Sequence, residues 1–192
     1  MLLVLVGLPG SGKSTVGRQL ARRLSLPFVD SDHAIEQRLG CSIREYFERE
    51  GEDRFRDIES EVLDDLSQRA HGVLSTGGGS VLRPLNRERL KSRGQVFYLR
   101  SSPEEVFRRL RHDQNRPLLQ VADPLRRLRE LFDIRDPLYR ETAHHVIETG
   151  RPTVAALVNM ILDKLDAKRS GSADAPVTSS SSFASDKPHV SP

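Results

Sequence analysis

The residues whose types and spacing most clearly indicate chemistry lie near the N-terminus, in a glycine-rich segment that ends in a lysine and two hydroxyl residues. Residues 7–15, GLPGSGKST, fit the pattern G-x-x-x-x-G-K-[ST] of phosphate-binding loops. Backbone N–H groups of such a loop converge on phosphate oxygens, the lysine adds a cation, and the first hydroxyl suits Mg²⁺. An apolar segment precedes the loop and a helical pattern follows it, which disfavours a turn that binds nothing. We therefore predict a nucleotide site that contains Gly10, Ser11, Gly12, Lys13, Ser14 and Thr15.

Two aspartates, Asp30 and Asp32, follow the second apolar segment of the chain. In an open parallel sheet the carboxyl ends of the strands face the ligand crevice. Two acids at that position can divide the work, one beside a metal ion and one beside an acceptor hydroxyl. The alternative is that one or both cap a helix over residues 33–39, since aspartate is a favoured cap. Spacing alone leaves the two interpretations open.

The elements that must position these residues alternate along the chain. Short apolar strands are predicted at Leu2–Val6, Pro27–Val29, Val73–Ser75, Gln95–Leu99 and His145–Ile147. Helical patterns are predicted over residues 13–24, 52–70, 103–111, 123–133 and 153–166, and residues 31–60 are mostly helical. This alternation is typical of βαβ units. It predicts an α/β fold, a P-loop NTPase-like three-layer sandwich of about five parallel strands with helices on both faces.

The C-terminal residues differ in composition from the rest of the 192-residue chain. Residues 168–192 contain eight serines, three prolines and one aromatic residue, Phe183. A segment of this composition cannot bury enough apolar surface to offset the entropy of ordering it. We therefore predict one domain over residues 1–167 and a disordered serine-rich tail over residues 168–192.

Charge and cysteine content exclude several classes of protein. The formal charge is only +3, with 30 lysines and arginines against 27 acids, and no nucleic-acid-reading module is present. The single cysteine, Cys41, indicates a reducing compartment. The apolar segment at Leu2–Val6 is too short to span a membrane. We therefore expect a cytoplasmic protein with neither nucleic acid nor membrane as partner.

Several further motifs occur in a fixed order. Besides the loop and the acid pair, the chain contains Gly51-Glu52-x-x-Phe55-Arg56-x-x-Glu59, Gly77-Gly78-Gly79, Arg116-Pro117-Leu118-Leu119 and Arg135-x-Pro137-Leu138-Tyr139. Together these motifs resemble the shikimate kinase family over nearly all of residues 1–166. Two features lie outside the family pattern. They are the tail and Ser75, which stands where many members have a smaller or apolar residue.

The resemblance implies transfer of the γ-phosphoryl group of ATP to the 3-hydroxyl of shikimate, giving shikimate 3-phosphate and ADP. It implies that Arg56 and Arg135 bind the carboxylate, a role that suits the planar guanidinium. Glu59, one helical turn after Arg56, is placed to orient it, and the alternative is a surface ion pair between the two. The glycines Gly77, Gly78 and Gly79 would contact substrate, the alternative being a flexible turn.

The same resemblance implies roles for the remaining candidates. Asp30 would serve Mg²⁺ together with Ser14, and Asp32 would hydrogen-bond the acceptor hydroxyl as the candidate general base. Arg116 would reach the phosphates from a mobile lid over residues 112–123, so that Lys13, Asp32 and Arg116 form the catalytic set. Arg109 would pack on the nucleotide base, unless it is a solvated helix residue. Arg151 falls in a loop that resembles the adenine-binding loop, and residues 31–60 form the substrate-binding segment.

Three rival functions use part of the same sequence. Another P-loop sugar-acid kinase, such as gluconate kinase, would share the loop and the fold but not the set Arg56, Glu59 and Arg135. A nucleotide-binding module without turnover would be expected to lack an acceptor-side group, yet all of these groups are present. A basic nucleic-acid binder predicts a steep dependence of binding on salt. The favoured interpretation is a monomer that binds ATP, Mg²⁺ and shikimate.

Overall fold

The computed structural model describes residues 1–68, 71–111 and 121–171, the last four by their backbone alone. In this part of the chain, five strands form one parallel sheet in the order β2-β3-β1-β4-β5. The strands are β1 (Leu2–Val6), β2 (Phe28–Asp30), β3 (Gly72–Ser75), β4 (Gln95–Arg100) and β5 (His145–Glu148). The predicted parallel α/β fold is therefore confirmed.

The central strand β1 is buried on both faces, which explains its unbroken apolar sequence. Leu2, Val4 and Val6 pack into the core on one side of the sheet, whereas Leu3 and Leu5 pack into the core on the other. Each strand residue points to the face opposite to that of its neighbour, so a strand covered on both sides needs apolar residues at every position. The two cores make the three layers of the sandwich.

Helices cover both faces of the sheet. Helices α1 and α8 pack on the face that carries Leu3 and Leu5, and the other helices lie on or beside the opposite face. The helices are α1 (Lys13–Leu24), α2 (Ser31–Leu39), α3 (Ile43–Glu50), α4 (Glu52–Gln68), α5 (Pro84–Arg93), α6 (Pro103–Leu110), α7 (Pro124–Thr142) and α8 (Val154–Gly171). No helix in the described ranges is both long and apolar enough to cross a membrane.

Helix α5 was not expected from its sequence. Only Asn86 and Leu90 of its ten residues are buried, so it has no apolar stripe of the kind that predicts an amphipathic helix. The local signals that define it are Pro84 in its first turn and Gly94 at its C-terminal end. These end signals are weak without a periodic pattern between them, which is why the helix was missed.

Helix α7 is longer than the segment 123–133 that its sequence predicts. It continues through Pro137 to Thr142, although a proline inside a helix removes a hydrogen bond and costs about 3 kcal/mol or more. The residues after the proline explain the continuation, because Tyr139 and Thr142 are fully buried. Tertiary packing therefore overrides the local preference for ending the helix.

Three of the strand-to-helix connections carry the candidate site. The glycine-rich loop follows β1, Asp30 ends β2 with Asp32 just after it, and the triple glycine follows β3, so all three lie at the carboxyl edge of adjacent strands. Residues 31–60 form α2, α3 and the start of α4, with no strand, as predicted. Residues 112–120 of the predicted lid, which include Arg116, lie outside the described residues. So do residues 172–192 of the predicted tail, and the division of the chain at residue 167 stays a prediction.

Candidate active site

The glycine-rich loop joins β1 to α1 and holds the ammonium group of Lys13 inside its curve. Gly10 and Gly12 have φ of 80° and 94°, a left-handed conformation that side chains other than glycine rarely adopt. Lys13 Nζ donates hydrogen bonds to the carbonyl oxygens of Gly7 (2.9 Å) and Leu8 (2.8 Å). Lys13 is itself buried, so its charge lies where the loop surrounds it.

Ser14 and Asp30 are in direct contact beside the loop. Ser14 Oγ donates a 2.5 Å hydrogen bond to Asp30 Oδ2. The other carboxylate oxygen, Oδ1, accepts from the backbone N–H of Asp32 at 3.1 Å and caps α2. Since α2 begins at Ser31, Asp32 lies in its first turn. The capping interpretation is therefore correct for Asp30 and wrong for Asp32.

Oxygen groups suited to Mg²⁺ gather at this point. The Ser14 hydroxyl, the Asp30 carboxylate and the hydroxyl of Ser75, which is 3.3 Å from Ser14 Oγ, are all hard oxygen ligands. In residues 1–68, 71–111 and 121–171 there is no group of three His, Cys, Asp or Glu side chains that could enclose a metal. Mg²⁺ commonly binds through one or two protein oxygens, substrate phosphates and water, so the residues present fit it.

Asp32 is half-buried, and its pKa is raised to about 6. Burial is the largest cause of the rise and the negative charge of Asp30 contributes to it, whereas the positive charge of Lys13 opposes it. A carboxyl group whose pKa lies near the working pH is suited to accept a proton and release it again. Asp32 therefore has the electrostatic character of a general base beside the loop lysine.

Each glycine of the triple-glycine segment leaves space for a different site residue. None of the three has φ in the left-handed region, so their requirement for glycine comes from space and not from backbone conformation. A Cβ on Gly77 would lie 2.5 Å from Asp32 Oδ1, and a Cβ on Gly78 would lie 2.6 Å from Pro9 Cδ. A Cβ on Gly79 would overlap the guanidinium of Arg56. The segment is packed on three sides, unlike a flexible turn.

The ion pair between Arg56 and Glu59 is buried. Arg56 Nη1 donates to Glu59 Oε2 at 2.6 Å, and the two side chains are only 12% and 2% exposed. Burial raises the pKa of Glu59, and the positive charges of Arg56 and Arg135 oppose that rise. The interpretation of Arg56 as a surface residue is therefore wrong. The glutamate holds the guanidinium in one orientation beside Gly79.

Arg135 lies on α7 close to the same group. Its Nε is buried and has no hydrogen-bond partner among the described residues. Its charge acts on Glu59 and on the hydroxyl of Tyr139, which donates a 2.5 Å hydrogen bond to the carbonyl of Gly78. The structure thus brings Arg56 and Arg135 together around Glu59, although they are 79 positions apart in the sequence.

Arg109 connects the loop to the turn after β5. Its guanidinium donates to the carbonyl oxygens of Ser11 (3.4 Å) and Thr149 (2.7 Å) and to the hydroxyl of Ser101 (3.2 Å). These bonds argue against a merely solvated helix residue, even though much of the side chain is exposed. Arg151 follows two residues after Thr149 and is also exposed.

A cleft of about 400 Å³ contains most of the predicted nucleotide and acceptor residues. It brings together the loop, both aspartates and Gly78, while Arg56 lies beside Gly79 and Arg135 near Glu59 and Tyr139. Its lining residues are Pro9, Gly10, Gly12, Lys13, Ser14, Thr15, Asp30, Asp32, Ser75, Thr76, Gly78 and Leu110.

Several residues that hold the site together have weak sequence signals. Ser31 Oγ accepts from Gly77 N at 3.0 Å, and Thr76 Oγ1 donates to the carbonyl of Leu5 at 3.1 Å. Ser75 was noted only as a departure from the family, yet it is buried and pairs in register with Asp30 across β2 and β3. Hydroxyl groups among otherwise apolar strand ends are the signal that could have identified these residues.

The comparisons with known proteins agree with this geometry. A family model of shikimate kinase matches residues 9–166. A shikimate kinase of Paracidovorax citrulli is 64% identical over 165 residues, which cover 84% of this chain and 90% of the relative. A shikimate kinase from Acinetobacter baumannii, solved in complex with shikimate, is 47% identical with a TM-score of 0.83, covering 88% of this chain and 94% of that one.

A gluconokinase from Sinorhizobium meliloti matches much more weakly. It is 17% identical with a TM-score of 0.56, over 89% of this chain and 94% of that one, so it shares the fold alone. The family match over most of the chain and the high identity to the curated relative together confirm the predicted family. This chain belongs to the shikimate kinase family of ATP-dependent kinases.

Proposed function

We propose that this chain transfers the γ-phosphoryl group of ATP to the 3-hydroxyl of shikimate, giving shikimate 3-phosphate and ADP. The observation that carries the proposal is the position of Asp32. Its half-buried carboxyl, with a pKa of about 6, lines the same cleft as the phosphate-binding loop and touches the glycine segment that contacts Arg56. An acceptor hydroxyl at this point would lie between a base and the phosphates.

On the nucleotide side, positioning and charge do most of the work, as is usual in phosphoryl transfer. Loop N–H groups and Lys13 would bind the phosphates. Ser14 and Asp30 would hold Mg²⁺, which when bound neutralises charge on the phosphate oxygens. Arg109 and Arg151 would lie along the base, and Arg116 would add a cation over the transferring group.

On the acceptor side, two arginines would bind one carboxylate. The guanidinium groups of Arg56 and Arg135 lie around the buried Glu59, and the planar fork of each matches a carboxylate. Gly77, Gly78 and Gly79 would let the substrate ring approach the backbone closely. Asp32 would then align the 3-hydroxyl and accept its proton as the new P–O bond forms.

A coupled assay of ADP release tests the proposal directly. The chain is supplied with ATP, Mg²⁺ and, in separate reactions, shikimate, quinate or gluconate. Release should require Mg²⁺ and be fastest with shikimate. Faster turnover with gluconate at equal concentration would favour the sugar-acid kinase, and nucleotide binding without any release would favour the module that lacks turnover.

Replacing Arg56 or Arg135 with lysine should raise the KM for shikimate while leaving the KM for ATP nearly unchanged. Lysine keeps the charge but loses the bidentate fork, and a charge-assisted bond of this kind is worth about 1.5–3 kcal/mol. The rise in KM should therefore be roughly 10-fold or more.

Arg44→Lys is the matched control for these arginine variants. Arg44 forms an ion pair with Glu48 on α3, and both side chains are more than half exposed. An exposed pair of this kind contributes little, so Arg44→Lys should leave both KM values unaltered. Arg56→Lys kinetics equal to those of Arg44→Lys would remove Arg56 from the proposed site.

We further propose that the protein acts in the cytoplasm as a monomer whose ligands are ATP, Mg²⁺ and shikimate. The single cysteine supports a reducing compartment. The small net charge gives no reason to expect nucleic acid as a partner. Light scattering of the purified chain measures the oligomeric state, and a mass twice that of the chain would contradict the monomer.

A further inference from the structure

One tyrosine hydroxyl joins two parts of the proposed shikimate site. Tyr139 OH donates a 2.5 Å hydrogen bond to the carbonyl of Gly78, a residue 61 positions earlier in the chain. The same hydroxyl interacts with the side chain of Arg135, which lies one turn earlier on α7. Tyr139 is completely buried, so water does not compete for these contacts.

The direction of these two contacts follows from the chemistry of the phenol. Burial raises the pKa of Tyr139 far above neutrality, so its hydroxyl keeps the proton. That single proton is used in the bond to Gly78, and toward Arg135 the oxygen can only accept. The phenol oxygen therefore meets the positive charge of Arg135 as an acceptor, while its proton is donated to the carbonyl of Gly78.

The first residue of the glycine segment is also held by a hydroxyl. Gly77 N donates to the hydroxyl of Ser31 at 3.0 Å, and Ser31 is fully buried next to Asp32. The segment is thus attached at Gly77 to the residue beside the candidate base and at Gly78 to the helix that carries Arg135. Two hydroxyls set the spacing between the groups that would bind the two ends of the substrate.

We propose that Tyr139, together with Ser31, is a positioning residue that holds Arg135 in register with Gly77–Gly79 and Asp32. This proposal rests on the proposed function, because the spacing matters only if one molecule bridges the arginine and the aspartate. A misplacement of about 1 Å can cost roughly 10²-fold in rate when reacting groups must be aligned. Loss of the Tyr139 hydroxyl should therefore weaken the productive binding of shikimate and leave the binding of ATP unaffected.

The chain contains a matched control for the loss of a buried tyrosine hydroxyl. Tyr98 is also completely buried, and its ring lies 4.9 Å from that of Tyr139. Its hydroxyl donates to Asp136 Oδ1 at 2.8 Å, on the same helix α7, and among the described residues it makes no hydrogen bond to the glycine segment. Tyr98→Phe and Tyr139→Phe therefore remove the same atom from neighbouring places in one core.

The test compares the steady-state kinetics of the two variants. Tyr139→Phe should raise the KM for shikimate about 10-fold, since the buried hydrogen bond to Gly78 and the contact with Arg135 are lost, and should leave the KM for ATP within about twofold. Tyr98→Phe should lower the melting temperature by a similar amount without altering either KM. Equal rises in the KM for shikimate in both variants, or none in Tyr139→Phe, would overturn the proposal.

A double-mutant cycle separates positioning from general packing. Arg135→Lys and Tyr139→Phe should combine with less than the product of their single effects on the KM for shikimate, because both disrupt the same contact between the guanidinium and the phenol oxygen. If the two effects on the KM for shikimate were fully independent, the proposed link between Tyr139 and Arg135 would be contradicted. If Tyr139→Phe does not fold, Ser31→Ala, which releases the other end of the segment, should raise the KM for shikimate in its place, and an unchanged value would overturn the proposal.

The wild-type assay distinguishes the failure of this inference from that of the proposed function. If the wild-type chain releases no ADP with shikimate, the proposed function fails. If wild-type turnover is normal and Tyr139→Phe behaves like Tyr98→Phe, only the positioning role fails.

Discussion

Replacement of Asp32 by asparagine is expected to lower kcat at least about 10²-fold and to leave the fold and the affinity for ATP nearly intact. Asparagine can still hydrogen-bond an acceptor hydroxyl, but it cannot accept the proton. Because α2 is capped by Asp30, the change removes no cap. A variant that retains most of its kcat would show that Asp32 is not the base.

Asp30→Asn is the matched control, two residues away. If Asp30 serves the metal, its replacement should be partly rescued by raising the Mg²⁺ concentration, whereas that of Asp32 should not. Titration of Mg²⁺ at saturating ATP and shikimate measures kcat for each variant. Rescue of Asp32→Asn by Mg²⁺ would exchange the two proposed roles.

The Asp32→Asn substitution should also stabilise the protein, by an amount that depends on pH. The folded pKa of Asp32, about 6, lies above its ordinary value of 3.8, so the folded state favours the protonated form. The ionised carboxylate therefore destabilises the fold; this penalty is complete above about pH 6 and disappears as the pH falls toward 4. Asp32→Asn removes it and should add about 1–3 kcal/mol to the free energy of unfolding at pH 8, but little at pH 4.

Thermal melts of wild type and Asp32→Asn across that pH range provide the measurement. The difference in melting temperature should shrink as the pH falls below about 6. Wild-type activity should decline over the same range, because a protonated Asp32 cannot act as a base. A difference in melting temperature that does not change with pH would contradict the raised pKa.

The three glycines after β3 should give three different kinetic defects when each is replaced by alanine. Gly77→Ala places a methyl group 2.5 Å from Asp32 Oδ1 and should mainly lower kcat. Gly78→Ala crowds Pro9 of the phosphate-binding loop and should mainly raise the KM for ATP. Gly79→Ala displaces the guanidinium of Arg56 and should mainly raise the KM for shikimate. Effects of about 10- to 10²-fold are expected, since each displacement approaches 1 Å.

Stability should respond differently from kinetics in this series. In Gly77→Ala and Gly79→Ala the added methyl group meets only the ends of the Asp32 and Arg56 side chains, which can move aside. Both variants should therefore fold well. Gly78→Ala presses on a proline ring and a backbone nitrogen, and should lose stability as well.

Gly94→Ala serves as the control for crowding as such. Its Cβ would lie 2.8 Å from Val4 Cγ2, in the core and away from the cleft, so it should lower the melting temperature without altering the kinetics. If all three site variants altered the same parameter, the segment would act as one unit and this division of contacts would be wrong.

Local patterns were sufficient for the parts of the fold that depend on near neighbours in sequence. The loop at residues 7–15 was found because its glycines and Lys13 lie close together in the sequence. Strand β1 was found because its residues are apolar without interruption. Helix α5 and the end of α7 could not be found in this way. Burial of Leu90 in one case and Tyr139 in the other stabilises a helix whose own sequence is a weak signal.

The sequence by itself determined the family and the parallel α/β class, and it supplied the candidate residues for the site. Only the tertiary structure decided what each of those residues does for its neighbours. Asp30 and not Asp32 caps α2, Arg56 lies in a buried pair, and each of three identical glycines makes space for a different partner. The reason is that these relations depend on distances between segments far apart in the chain, set by the register of β2, β3 and β1 and by the packing of α7. Side-chain types and local spacing carry no measure of those distances.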